Sequence, residues 1–150
     1  MTRPFLLPAL LLVLFLSACG GGGAADTPAA APDGVTQDQL VNGIGPVRSV
    51  TLAEVDATLA AAGEELFTIK CSACHKMGER YVGPALGDVT TRRSPAYIMN
   101  MILNPQEMVE KHPEAKRLFA EFMTPMANQN LTEADARAVL EYLRTQAPAN

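Results

Sequence analysis

The chain has 150 residues, with 12 Lys and Arg against 16 Asp and Glu for a net charge of −4 at pH 7. That balance lacks the basic footprint that nucleic acid requires and argues against such a partner. The length leaves room for about one domain once the N-terminal segments are set aside.

Arg3 gives the start of the chain a positive charge, and Pro4 to Leu16 is an apolar run too short to span a bilayer comfortably. Residues 1–18 therefore read as a secretory signal rather than a transmembrane helix. Leu16-Ser17-Ala18-Cys19 resembles the lipobox of bacterial lipoproteins. The resemblance implies acylation of Cys19, which becomes the mature N-terminus and anchors the chain to a bacterial membrane on its periplasmic side. Residues 19–45 open on Gly20 to Gly23 and run on in Ala, Gly and Pro, a composition that cannot bury a core. They are expected to form a flexible tether ending between Gly34 and Gly45, with the folded domain over 46–150. Val35 to Val50, including Gly43-Ile44-Gly45-Pro46, is a candidate docking extension outside the domain core. Loss of residues 1–18 removes Arg3 alone among the charged groups, leaving eleven basic against sixteen acidic side chains.

Val47 to Thr51 is at most a short extended piece, and no segment shows sustained strand alternation. Leu59, Ala62, Gly63, Leu66 and Phe67 repeat at helical spacing and predict an amphipathic helix over about Leu52 to Lys70. Gly63 inside it costs about 1 kcal/mol against Ala, which makes sense where another helix crosses closely. Ser94-Pro95 predicts a capped helix start with proline at the first position, Tyr97, Ile98, Met101 and Ile102 its buried face, and Asn104-Pro105 its end. Pro113 opens the next helix, with Ala115, Leu118, Phe119 and Phe122 on its apolar side. His112 reads as a surface cap before it. Thr132-Glu-Ala-Asp135 predicts a capping box for the last helix, whose stripe is Ala136, Val139, Leu140 and Leu143. The expected fold is all-α, four or so helices, with the first and last crossing.

The chemistry sits in Cys71-Ser72-Ala73-Cys74-His75, the attachment signature of a c-type haem. Two thiols three positions apart occupy one helical turn and reach the two vinyl groups of one porphyrin. The histidine that follows supplies a proximal nitrogen. A thioredoxin-like pair expects a βαβ setting, whereas the flanks here are helical. A closed zinc site lacks ligands, since His112 is the only other histidine. The three cysteines divide into one lipid-bearing and two haem-bearing residues, with none left for a disulfide. For the sixth ligand, a thioether suits a relatively high potential. Met77 is too near His75 in sequence, and Met99, Met101 and Met108 fall in or beside a helix where methionine is usually a gap-filler. Met123 and Met126 remain.

From Thr51 to Ala147 the chain resembles a class I cytochrome c domain. The resemblance rests on Gly63-x-x-x-Phe67-x-x-x-Cys71-x-x-Cys74-His75, on Gly83-Pro84-Ala85-Leu86, on Met126 five positions before Leu131, and on Leu140-Glu-Tyr142-Leu143. It implies one covalent haem c, terminal helices crossing at Gly63 with Phe67 against Tyr142, and Met126 as the axial sulfur beside His75. The proline stands before Met126 here, whereas the family often has it after. It further implies that the Pro84 carbonyl accepts from the imidazole N–H and that Leu86 packs on the porphyrin. Arg92 and Arg93 are candidates to neutralise propionates, since guanidinium suits carboxylates. Tyr81 and Tyr97 read as core or rim aromatics.

The function that follows is a membrane-tethered carrier that passes single electrons between redox proteins, with no small-molecule substrate. The alternatives are a haem enzyme or gas sensor with a labile distal ligand, which wants a distal acid or base, and a dedicated electron-donor subunit of a reductase or oxidase complex.

Overall fold

The computed structural model describes residues 34–147. The signal segment, Cys19 and the tether as far as residue 33 lie outside the described residues. Seven helices and no strand are present among them: α1 Gln37–Asn42, α2 Ala57–Lys70, α3 Val89–Arg92, α4 Pro95–Leu103, α5 Pro105–Lys111, α6 Pro113–Phe122 and α7 Glu133–Thr145.

The four expected helices are α2, α4, α6 and α7, and their ends follow local chemistry. α2 starts at Ala57, later than Leu52, because the Asp56 carboxylate accepts from the Thr58 and Leu59 amides. Ser94 caps α4 with Pro95 in the first turn. Thr132 and Asp135 form the capping box of α7. α1, α3 and α5 are additions, each seven residues or fewer.

α2 and α7 cross at Gly63. A Cβ there would sit 2.0 Å from the Ala138 carbonyl oxygen, so only glycine lets the two backbones meet. Phe67 and Tyr142 pack beside the crossing with ring centroids 5.4 Å apart. Val139, Leu140 and Leu143 of α7 join Phe67, Ile98, Met99 and Ile102 in the main core. On the far side of α7 the buried Glu141 carboxylate takes guanidinium donors from Arg137 and Arg144. The same arginines donate to the Thr51 and Ala53 carbonyls, which fastens the chain entering α2.

A second, smaller core corrects two expectations. Val35 and Ile44 are buried with Tyr97, Met108 and Ala115, so the folded domain begins at about residue 35 rather than 46. The stretch read as a docking extension is a strap laid on the domain itself. Buried Asn100 holds it: its Oδ1 accepts from the Val47 amide, and its Nδ2 donates to the Val47 and Asn42 carbonyls. The Ile44 amide donates to Met108 Sδ. His112, expected on the surface, is 2 % exposed. Its Nδ1 accepts from the Glu114 amide as the cap of α6, and its Nε2–H donates to the Leu40 carbonyl. A cap can be buried because α1, remote in sequence, covers it.

Candidate functional site: a haem cleft

The α2–α7 crossing and the segment running through α3 to α6 enclose a mostly apolar cleft of about 1390 Å³ of empty space, counting its open mouth. Cys71, Cys74, His75, Pro84 and Leu86 line it from the N-terminal half; Ile98, Met101, Leu118, Phe119 and Met126 line it from the C-terminal half.

α2 ends at Lys70, and the chain turns through Cys71 to Cys74 with the Cys74 and His75 amides both donating to the Cys71 carbonyl. The turn brings both thiols and the imidazole to the cleft. Cys71 is buried and Cys74 exposed. Burial, with Cys74 alongside, pushes the Cys71 thiol up to about 11. An uncharged thioether is the form of sulfur such a place favours.

His75 Nδ1 lies 3.0 Å from the Pro84 carbonyl oxygen. A carbonyl only accepts, so Nδ1 carries the hydrogen and Nε2 keeps its lone pair. Gly83 lies flat against the same ring: a Cβ there would be 2.6 Å from His75 Cε1. The loop returning over the histidine is held by the Gly83 amide on the Cys74 carbonyl, the Leu86 amide on Lys76 and the Gly87 amide on Met77. Such clamping fixes imidazole orientation and raises its basicity.

The two methionines left open by the residues separate in space. Met126 is half-buried, packs on the main core and lines the cleft. Met123 ends α6 in a left-handed conformation at φ 51°, is 75 % exposed, and does not line the cleft. Arg92 and Arg93 both line it, each beside a carboxylate of the protein itself. Arg92 pairs with Asp88 at 2.8 Å and donates to the Ala85 carbonyl; Arg93 pairs with Glu114 and covers the Tyr97 ring. Tyr81 is half exposed under Lys76.

The cleft thus brings together all eight residues read from the sequence as haem contacts. Sequence reasoning missed the role of Gly83, visible only once the loop is folded on His75; Tyr97, read as a core or rim aromatic, is buried in the second core at the edge of the cleft. A porphyrin suits this donor set: two thiols on one turn, an imidazole with a free lone pair, apolar walls and cations for its carboxylates.

The family model for cytochrome c matches residues 60–147. Among solved structures, a cytochrome c from Rhodothermus marinus is 52 % identical at a TM-score of 0.70, covering 73 % of this chain and 96 % of that one. An engineered cytochrome c from Rhodothermus marinus is 51 % identical at 0.70 over the same shares. That engineered protein bound to a carbene intermediate, 1-ethoxy-1-oxopropan-2-ylidene, gives 51 % and 0.67, again over 73 % and 96 %. No curated protein matches the chain. With its attachment turn, its glycine crossing and a clamped imidazole at one cleft, the chain belongs to the cytochrome c family and carries covalently bound haem c in an electron-carrier fold.

Proposed function

We propose that this chain is an exported, lipid-anchored carrier that moves single electrons between redox proteins, its iron held by His75 and Met126. One observation carries the ligand pair: the clamped imidazole and Met126 line one cleft, while Met123 stands outside it. When bound, the haem supplies a ferric/ferrous couple that takes up and gives back one electron.

The rest is the work of the chain. Cys71 and Cys74 would hold the porphyrin, and the Pro84 carbonyl keeps the proton on Nδ1, which leaves the Nε2 lone pair free to bind iron. Gly83 leaves the ring no room to turn. The apolar residues from α4 to α6 exclude water, which favours the less charged ferrous form. Leu86 would pack on the porphyrin, and Arg92 and Arg93, which line the same cleft, would offer guanidinium groups to its carboxylates. Partners are redox proteins such as a respiratory complex, a reductase or an oxidase, met through small transient contacts. Localisation rests on the apolar leader and Cys19 in the sequence, and on the extracytoplasmic setting usual for the family.

Absorption spectra of the haem-loaded protein, oxidised and reduced, test the ligand pair in wild type and Met126→Ala, with carbon monoxide added to each reduced form. The expected wild type is low-spin, shows the far-red methionine band and ignores the gas, while the variant loses the band and binds it. A high-spin, gas-binding wild type overturns the carrier reading in favour of haem catalysis or gas sensing. For the anchor, Cys19→Ser is expected to move the protein from membrane to soluble fractions.

A further inference from the structure

Two segments carry the groups read as haem ligands, and the side chain of Arg80 ties them together. Arg80 stands five residues after His75, in the exposed stretch of the loop that turns back over the imidazole. Glu121 stands five residues before Met126, in the last turn of α6. The Arg80 guanidinium donates from Nη1 to the Glu121 carboxylate at 3.0 Å and from Nη2 to the Glu121 backbone carbonyl at 3.0 Å. Its central carbon lies 4.1 Å from the centroid of the Phe122 ring, which lines the haem cleft. Three contacts from one planar group fix its direction as well as its place.

The two segments need such a tie to different degrees. The histidine loop is closed at its base, by the Gly83 amide on the Cys74 carbonyl and the Gly87 amide on the Met77 carbonyl. The methionine segment has no such frame: residues 123–132 form neither helix nor strand, and the run begins where α6 stops, at the left-handed Met123. The sequence itself opens the end of α6. The residue four positions after Glu121 is Pro125, which has no N–H to donate, so the Glu121 carbonyl is left without a partner from its own chain direction. Arg80 supplies that donor from across the cleft mouth. The proline that precedes Met126 and the arginine of the histidine loop therefore belong to one arrangement.

We propose that Arg80 is a positioning residue for Met126: by fastening the last turn of α6 to the histidine loop, it restrains the methionine segment and slows departure of the sulfur from iron. This rests on the reading of Met126 as the sixth ligand. The ion pair faces solvent, at 58 and 39 % side-chain exposure, so it adds little to the stability of the whole fold. Its effect is local, on the irregular run beside it. Arg117 also pairs with Glu121, at 2.8 Å, but it lies on α6 itself and ties nothing to the histidine side. A sulfur held in place keeps small ligands off the iron, which is what separates a carrier from an open-site haem protein.

Arg80→Leu keeps an apolar side chain beside Phe122, removes the donors and tests this in the haem-loaded ferric protein. Imidazole is added and the loss of the far-red methionine band is followed in time. At high imidazole the rate is set by departure of the sulfur, so it reads the restraint on Met126 directly. The expected rise is about fivefold, the factor that matches an exposed pair at the upper end of its range. Hydrogen exchange is expected to accelerate over 123–132, with α2 and α7 unchanged. Asn100→Ala, which frees the strap and leaves the cleft lining as it is, serves as the control and is expected not to move the rate. An unmoved rate in Arg80→Leu overturns the proposal, and so does an equal rise in Asn100→Ala, which would make the restraint a general property of the fold. A wild type without the far-red band fails the reading of Met126 itself, and the proposal falls with it; a wild type that has the band and a variant with an unmoved rate fail the tie alone.

Discussion

The domain is built from two cores held by different means. At the α2–α7 crossing two helices meet backbone to backbone at Gly63, with apolar side chains packed around the contact. On the strap side, α1 and the segment through Val47 are tied to α4, α5 and α6 by single polar side chains: Asn100 to Val47 and Asn42, His112 to Leu40, Met108 to Ile44. Close packing is general, because many atoms share it and its loss is felt all along both helices. Polar ties are local, because each one holds a particular carbonyl or amide. The difference separates what sets the fold from what closes it.

The sharpest way to break the comparison is Gly63→Val. Its Cβ has to displace the Ala138 backbone, so a loss of about 3 kcal/mol is expected in chemical denaturation of the haem-loaded protein, with the whole domain melting together. Asn100→Ala attacks the other core and leaves two carbonyls and an amide unpaired. The expected loss is about 2 kcal/mol, smaller because the strap can peel off to water. Hydrogen exchange then accelerates over 36–47 before it does in α2 or α7; a uniform acceleration would mean that the cores are not separate.

A pH titration sharpens the same contrast. Burial, with the Arg93 guanidinium nearby, holds His112 below its usual 6.5. The unfolded chain therefore takes up the proton first, and stability falls as pH drops from 6.5 towards the folded value. His112→Asn keeps an α6 cap and is expected to flatten that fall. The smallest effect belongs to neither core. Met123→Gly relieves a left-handed residue that is 75 % exposed, for a gain of about 0.5 kcal/mol with the far-red band unchanged.

The same division governs what could be read from the sequence. α2, α4, α6 and α7 announce themselves because caps, prolines and apolar spacing are local signals. α1 and α3 are too short to show a period, and α5 restarts at Pro105 where the Asn-Pro pair read only as a stop. The crossing was legible from one costly glycine, since a penalty inside a helix needs a reason. The strap was not: a Gly/Ala/Pro-rich run shades into it without a break, and Asn100 or His112 reveals its role only when residues 53 to 72 positions away fold onto it. Cys71, Cys74 and His75 stand in a motif that spells out its chemistry, Arg92 and Arg93 were read from the fit of guanidinium to carboxylate, and Pro84, Leu86 and the choice of Met126 over Met123 came with the family likeness. Tyr97, on the apolar face of α4, reads as core and is core.

The unequal burial of the two haem-bearing cysteines has a consequence for the order of assembly. A thioether forms when a sulfur adds across a vinyl double bond, and the thiolate is the reactive form. In the folded domain Cys74 stays at the surface, but the Cys71 thiol is enclosed and raised to about 11, so at neutral pH almost none of it is thiolate. A chain that folded first would present an accessible sulfur at one position and an enclosed one at the other. Attachment at Cys71 therefore belongs before α2 docks on α7, and the closing of that crossing is the step that seals the bond.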